Sequence, residues 1–141
     1  MKRALIVLVL ALTSACASRV LVNDEMSGVA PQLSVERFLQ AANARDYDSM
    51  RRLFGTHDGP IQGNRQDLEI RMQAIAEILT HEDYRIQGQA REAGREFPTT
   101  RVTVTLTKGG REIKDVPFLV VSTKDGAWLV EQVDLALVTR G

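Results

Sequence analysis

Residues 97–122 read FPTTRVTVTLTKGGREIKDVPFLVVS, and this stretch decides the fold. Val102, Val104 and Leu106 alternate with Thr103, Thr105 and Thr107, the period-two pattern of a strand with one buried face. Lys108-Gly109-Gly110 is a hairpin signal, and the next strand, 112–122, carries Val116, Phe118 and Val120 on one face. Leu119 and Val121 on the opposite face predict a strand covered on both sides. Working outward, Lys124-Asp125-Gly126 is a second hairpin turn. Residues 128–138 follow as a last strand, whose apolar phase slips between Trp128/Val130 and Val133/Leu135/Leu137. The slip predicts a bulge near Glu131-Gln132. Upstream, 81–92 alternates weakly around Tyr84 and Ile86, with Gly88 and Gly94 expected to weaken or bend it.

The first half of the chain has helical rhythm. Val35, Phe38, Leu39 and Ala42 follow the i, i+3, i+4, i+7 spacing of a buried stripe over 34–45, with Ser34 as the expected N-cap. A short second helix is expected to start at the cap Asp46, to bury Met50, Leu53 and Phe54, and to stop at Gly55. Residues 56–64, rich in Gly and with Pro60, read as a loop. A third helix over 66–80 places Leu68, Met72, Ile75, Ala76 and Leu79 on one face. Three N-terminal helices followed by a four-stranded antiparallel meander define the α+β class.

The N-terminus carries a different kind of signal. Lys2 and Arg3 precede nine apolar residues, 4–12, then Thr13-Ser14-Ala15 and the chain's one cysteine, Cys16. This is the order of an export signal, and nine residues are far fewer than the roughly 20 of a bilayer-spanning helix. Leu12-Thr13-Ser14-Ala15-Cys16 resembles the lipobox of bacterial lipoproteins, with Thr13 where that family most often has Leu. The resemblance implies cleavage after residue 15 and acylation of Cys16. It also implies a membrane anchor on the periplasmic side of the cell envelope. Ala17, in place of the Asp that signals inner-membrane retention, points to the outer membrane. The divisions expected are a signal peptide over 1–15, a lipidated Cys16 with a polar tether to residue 32, and a folded domain over 33–141.

Composition sets further bounds. The 141 residues contain 18 basic and 18 acidic side chains, and removing Lys2 and Arg3 leaves a weakly acidic mature chain. No basic excess marks a nucleic-acid partner. One cysteine gives neither an internal disulfide nor a cysteine-cluster zinc site. A domain of this size can bury enough apolar surface to fold without either.

Three segments together resemble one family. They are Val35-Glu36-Arg37-Phe38-Leu39-Gln40-Ala41, the restart Asp46-Tyr47-Asp48-Ser49-Met50, and the closing Asp125-Gly126-Ala127-Trp128-Leu129-Val130. In this order they look like the NTF2-like superfamily, particularly its small bacterial lipoproteins of unknown function. The resemblance covers roughly residues 33–138. It implies a strongly curved sheet wrapped around the helices as a cone with a pocket at its open end. That scaffold hosts isomerases, cyclases, dehydratases and non-catalytic binding modules, so function must be argued from the site.

No residue set carries a recognisable catalytic signature. His57-Asp58 in its Gly/Pro loop is a conceivable proton-transfer pair, but adjacent loop residues point apart. His57 and His81 lack metal-ligand spacing, so no metal or cofactor is expected. Arg71 and the other helix arginines read as solvated surface. Glu131 and Asp134 lie three apart, and the suspected bulge would aim one carboxylate inward. Tyr84, Trp128, Asp134 and His57 are the candidate pocket residues. The leading expectation is a non-catalytic, lipid-anchored module for a small apolar ligand or an envelope protein. The alternatives are an acid–base enzyme of the isomerase or cyclase type using a cone carboxylate, and a homodimeric structural module.

Overall fold

The computed structural model describes the backbone of residues 18–141 and the side-chain surroundings from residue 30 onward. The signal segment 1–15 and Cys16 lie outside the described residues. The described chain is α+β, with four helices and a four-stranded antiparallel sheet.

Helix α1 spans Ser18–Asn43 and is longer than its apolar stripe predicts. The expectation of an irregular tether up to residue 32 is corrected here, because the backbone is already helical at Ser18. The helix runs through Pro31, whose ring supplies no N–H to the helical ladder; that breaker and the polar composition are what masked the helix. Ser34 is accordingly no N-cap. It is buried inside α1, and its hydroxyl donates to the Trp128 carbonyl at 2.7 Å, fixing the helix to the last strand. The stripe itself is as expected, with Val35, Phe38, Leu39 and Ala42 fully buried.

Helix α2, Tyr47–Leu53, begins at Asp46, whose carboxylate accepts from the Ser49 amide at 3.1 Å and the Ser49 hydroxyl at 2.6 Å. The Ser49 hydroxyl, followed by the Ser49 amide, holds the Asp46 carboxyl below the usual carboxylate range. Gly55 does not stop the helix in a left-handed turn as expected. Phe54 leaves α2 in an extended conformation, and Gly55 opens a two-residue strand β1, Gly55–Thr56, paired with β2, Gly59–Pro60. The expected loop is therefore a small hairpin with His57-Asp58 at its turn. Helix α3, Arg65–Leu79, is capped by Asn64, whose side chain accepts from the Gln66 and Asp67 amides at 2.9 and 3.4 Å. It buries Leu68, Met72, Ile75, Ala76 and Leu79, the predicted face.

The sheet runs in sequence order, β3 (Asp83–Arg91), β4 (Thr99–Lys108), β5 (Arg111–Ser122) and β6 (Trp128–Val133). Gly109 and Gly110 form the two-residue β4–β5 turn with φ of 57° and 73°, the left-handed pair that a type I′ hairpin requires. Each ladder carries one register shift, at Ile86/Gly88, Val104/Leu106 and Leu119/Val120. The third is the predicted bulge, because Leu119 pairs with Gln132 and Val120 with Val130, leaving Glu131 as the extra residue.

The last strand is shorter than expected. Asp134 leaves the ladder, and its side chain accepts from the Leu137 amide at 3.0 Å to cap a fourth helix, α4, Leu135–Arg140. The helices are therefore not all N-terminal. Leu135 and Leu137, which mimic strand alternation, are partly buried on a helix that packs against α3 and β5. The core lies between the sheet and α1–α3, where Phe38, Met50, Met72, Val104, Phe118 and Val130 are fully buried. On the other face of β5, Val121 is buried beside its ladder partner Leu129, whereas Leu119 is only half-buried, so the expected cover on both sides holds only toward the end of the strand.

Candidate functional site

The β1–β2 hairpin is short enough that its turn must lean on whatever lies beside it. It leans on the β5–β6 connection, where the Lys124 amide donates to the His57 carbonyl at 3.0 Å. The Nδ1 atom of His57 lies 2.6 Å from the Ser122 carbonyl oxygen. A carbonyl only accepts, so Nδ1 carries a proton and donates it to this bond. The ring lies flat on Phe97 of the β3–β4 loop, with centroids 3.7 Å apart and planes 3° from parallel. Phe97 keeps 39 % of its surface exposed. Together they wall a cleft of 310 Å³, which Thr56, Asp58, Arg95 and Glu131 also line.

Glu131 owes its place to the bulge. The extra residue turns its side chain out of the ladder, where its carboxylate accepts from the Arg95 guanidinium. The same residue also lines a groove on the other side of the hairpin, bounded by α3, β6 and α4. The chamber of the groove between α3, β6 and α4, 370 Å³, is walled by Phe54, Ile75, Ile78, Val133 and Leu135. Arg71 stands at its edge with its guanidinium carbon 5.3 Å from the centre of the Phe54 ring. The sequence logic is visible in α3, since Arg71, Ile75 and Ile78 fall at i, i+4 and i+7 on one helix face.

The candidate pocket residues do not converge. His57 lines the cleft just described, whereas Asp134 borders a separate depression with Arg101, Pro117 and Leu119. Tyr84 sits on β3, where its hydroxyl accepts from Gln40 at 3.3 Å and its ring meets His81 edge-on at 5.5 Å. Trp128 is half-buried against the core. The groups that do share cavities are Glu131, Arg95, Phe97 and Arg71. Glu131 was within reach of the sequence through the phase slip. Phe97 and Arg95, in a loop between strands, give no periodic signal, and Arg71 looks like any other helix arginine.

Chemically, the site joins an apolar wall to an ordered polar edge. His57 donates to a carbonyl and not to a carboxylate, so no His–carboxylate dyad forms there. Nearby, Arg101 grips Glu92 through two bonds of 2.8 Å, which hold the Glu92 carboxyl below the usual range and tie the end of β3 to β4. Among the described residues no group of three or more His, Cys, Asp or Glu side chains could hold a metal ion. Neither a known protein-family model nor any curated protein matches the chain.

Proposed function

We propose that this protein is a lipid-anchored binding module of the bacterial cell envelope, with an NTF2-like cone that holds a small, largely apolar ligand. The observation that carries the reading is the groove between α3, β6 and α4. Its walls are Phe54, Ile75, Ile78, Val133 and Leu135, and its volume of 370 Å³ lies in the ~300–1,000 Å³ range of ligand pockets. A bulge in each of the three ladders supports a strongly curved sheet, since each extra residue bends and twists its strand. Glu131, the carboxylate best placed to act as a base, is paired with Arg95, which favours binding over proton transfer.

The anchor reading rests on residues 12–16. Among the described residues no helix is long and apolar enough to cross a membrane. Two or more acyl chains at Cys16 would hold the protein stably, because each buried CH₂ contributes about 0.8 kcal/mol.

Native mass spectrometry of the protein purified from its own membrane tests both parts. The expected mass is that of the chain beginning at Cys16 with its acyl groups, together with a retained small molecule released on activation. An unmodified Cys16 in an uncleaved chain would refute the anchor. A preparation that retains no ligand and takes up no apolar probe would refute the binding function.

A further inference from the structure

Arg71 is the one cationic side chain among the described residues that line this chamber of the groove, and the apolar-ligand reading does not use it. Among the described residues it has no ion pair, and its guanidinium is held over the Phe54 ring at the groove's lip. The acidic residues that share the groove with it are paired elsewhere, Glu131 with Arg95 and Asp58 with Lys124. A guanidinium is always charged and presents a planar fork that matches a carboxylate in two parallel bonds. From Arg71 the apolar wall runs along α3 through Ile75 to Ile78, about 10 Å at 1.5 Å per residue. Val133 and Leu135 face it from the β6–α4 junction. The groove thus has a cationic end and an apolar length.

We infer that the groove binds a single-chain fatty acid, with Arg71 receiving the carboxylate and the Ile75–Ile78 wall receiving the tail. The inference rests on the binding function proposed above and adds the ligand class. A monoanionic head fits better than a phosphate monoester, which carries nearly two charges at neutral pH. One guanidinium would leave part of that second charge unmatched, beside the Glu131 carboxylate on the same groove.

Isothermal titration of the full chain carrying Cys16→Ser, so that no attached acyl chain competes, tests the assignment. The probes are laurate, 1-dodecanol and dodecyl phosphate, each below the concentration at which it self-associates. Laurate should bind at least tenfold more tightly than dodecanol. Arg71→Gln should remove that margin, bringing laurate down to the affinity of dodecanol in the same variant. Ala74→Trp, which fills the groove from an exposed position on α3, should weaken both. Unchanged circular dichroism and thermal midpoints establish that both variants are folded. Equal binding of laurate and dodecanol, or laurate binding indifferent to Arg71→Gln, would overturn the head-group assignment while leaving the apolar groove standing. Tighter binding of dodecyl phosphate than of laurate would overturn the carboxylate assignment. Binding of none of the three would remove the ligand-binding function along with the inference.

Discussion

Gly55→Ala tests the packing that holds the β1–β2 hairpin and, with it, the wall shared by the cleft and the groove. A Cβ at this position would overlap the Gly59 carbonyl oxygen and lie 2.9 Å from the Pro60 Cα. Both neighbours are backbone of the paired strand, so no side chain can swing aside. Carbon contacts are comfortable at about 3.5–4.0 Å, so β2 would have to retreat by roughly 1 Å. Overpacking of this kind costs about 1–3 kcal/mol. Retreat would also stretch the Ile61 amide bond to the Phe54 carbonyl, now 2.8 Å, adding up to about 1 kcal/mol. For a domain of this size, at about 4 °C per kcal/mol, the unfolding midpoint should fall by roughly 4–16 °C. The matched control is Gly88→Ala, where an added Cβ meets nothing within 4 Å and φ is not left-handed. There the loss of unfolded-state freedom should stabilise the fold by about 0.4–1 kcal/mol. Thermal and urea unfolding followed by circular dichroism measure both variants. A Gly55→Ala protein as stable as the parent would show that the close approach of β1 and β2 does not constrain the hairpin.

Asn64→Ala removes the side chain that accepts from two α3 amides and should cost about 1 kcal/mol in urea unfolding, with Asn64→Asp close to neutral. His57→Ala loses both the stack on Phe97 and the bond to the Ser122 carbonyl; an expected loss of about 1–3 kcal/mol is readable in the same assay. Folding lowers the Glu92 pKa, first through the Arg101 hydrogen bonds, so the pairing stabilises the native state above the ordinary value of 4.5 and that gain disappears as pH falls through the folded value. Arg101→Gln should therefore make the unfolding midpoint less steeply dependent on pH below about 4.5, and an unaltered acid limb in a scan from about pH 6 to 3 would contradict it.

Local chemistry made much of this fold legible in the sequence. The alternation at 102–107, the Gly109-Gly110 pair and the two-sided apolar run at 116–121 each specify a strand or a turn through neighbouring residues alone. The phase slip placed the bulge, and Asp46 announced its helix cap. The buried stripes of α1 and α3 followed from a 3.6-residue period that needs no knowledge of what packs against them.

Errors arose where local and tertiary preferences part. Leu135 and Leu137 satisfy strand alternation while Leu135 and Val138, three apart, suit a buried helix face, and the contact with α3 decides for the helix once Asp134 caps it. Pro31 argues locally against helix, yet α1 runs through it. Glycine at position 55 reads as a helix stop, whereas it is needed because another backbone passes close by, a relation between strands that no single segment encodes. The candidate site depended on the tertiary structure for the same reason. His57 and Phe97 are forty positions apart, as are Glu131 and its partner Arg95 nearly so, and neither pair has a sequence spacing. By itself the sequence determined the α+β class, the order of the strands, the bulge at Glu131 and the buried helix faces, because period and turn chemistry act over a few residues. Only the tertiary structure decided that Glu131 pairs with Arg95 and that Arg71, with no ion pair among the described residues, stands over Phe54 at the lip of an apolar groove, because those placements depend on how distant segments pack.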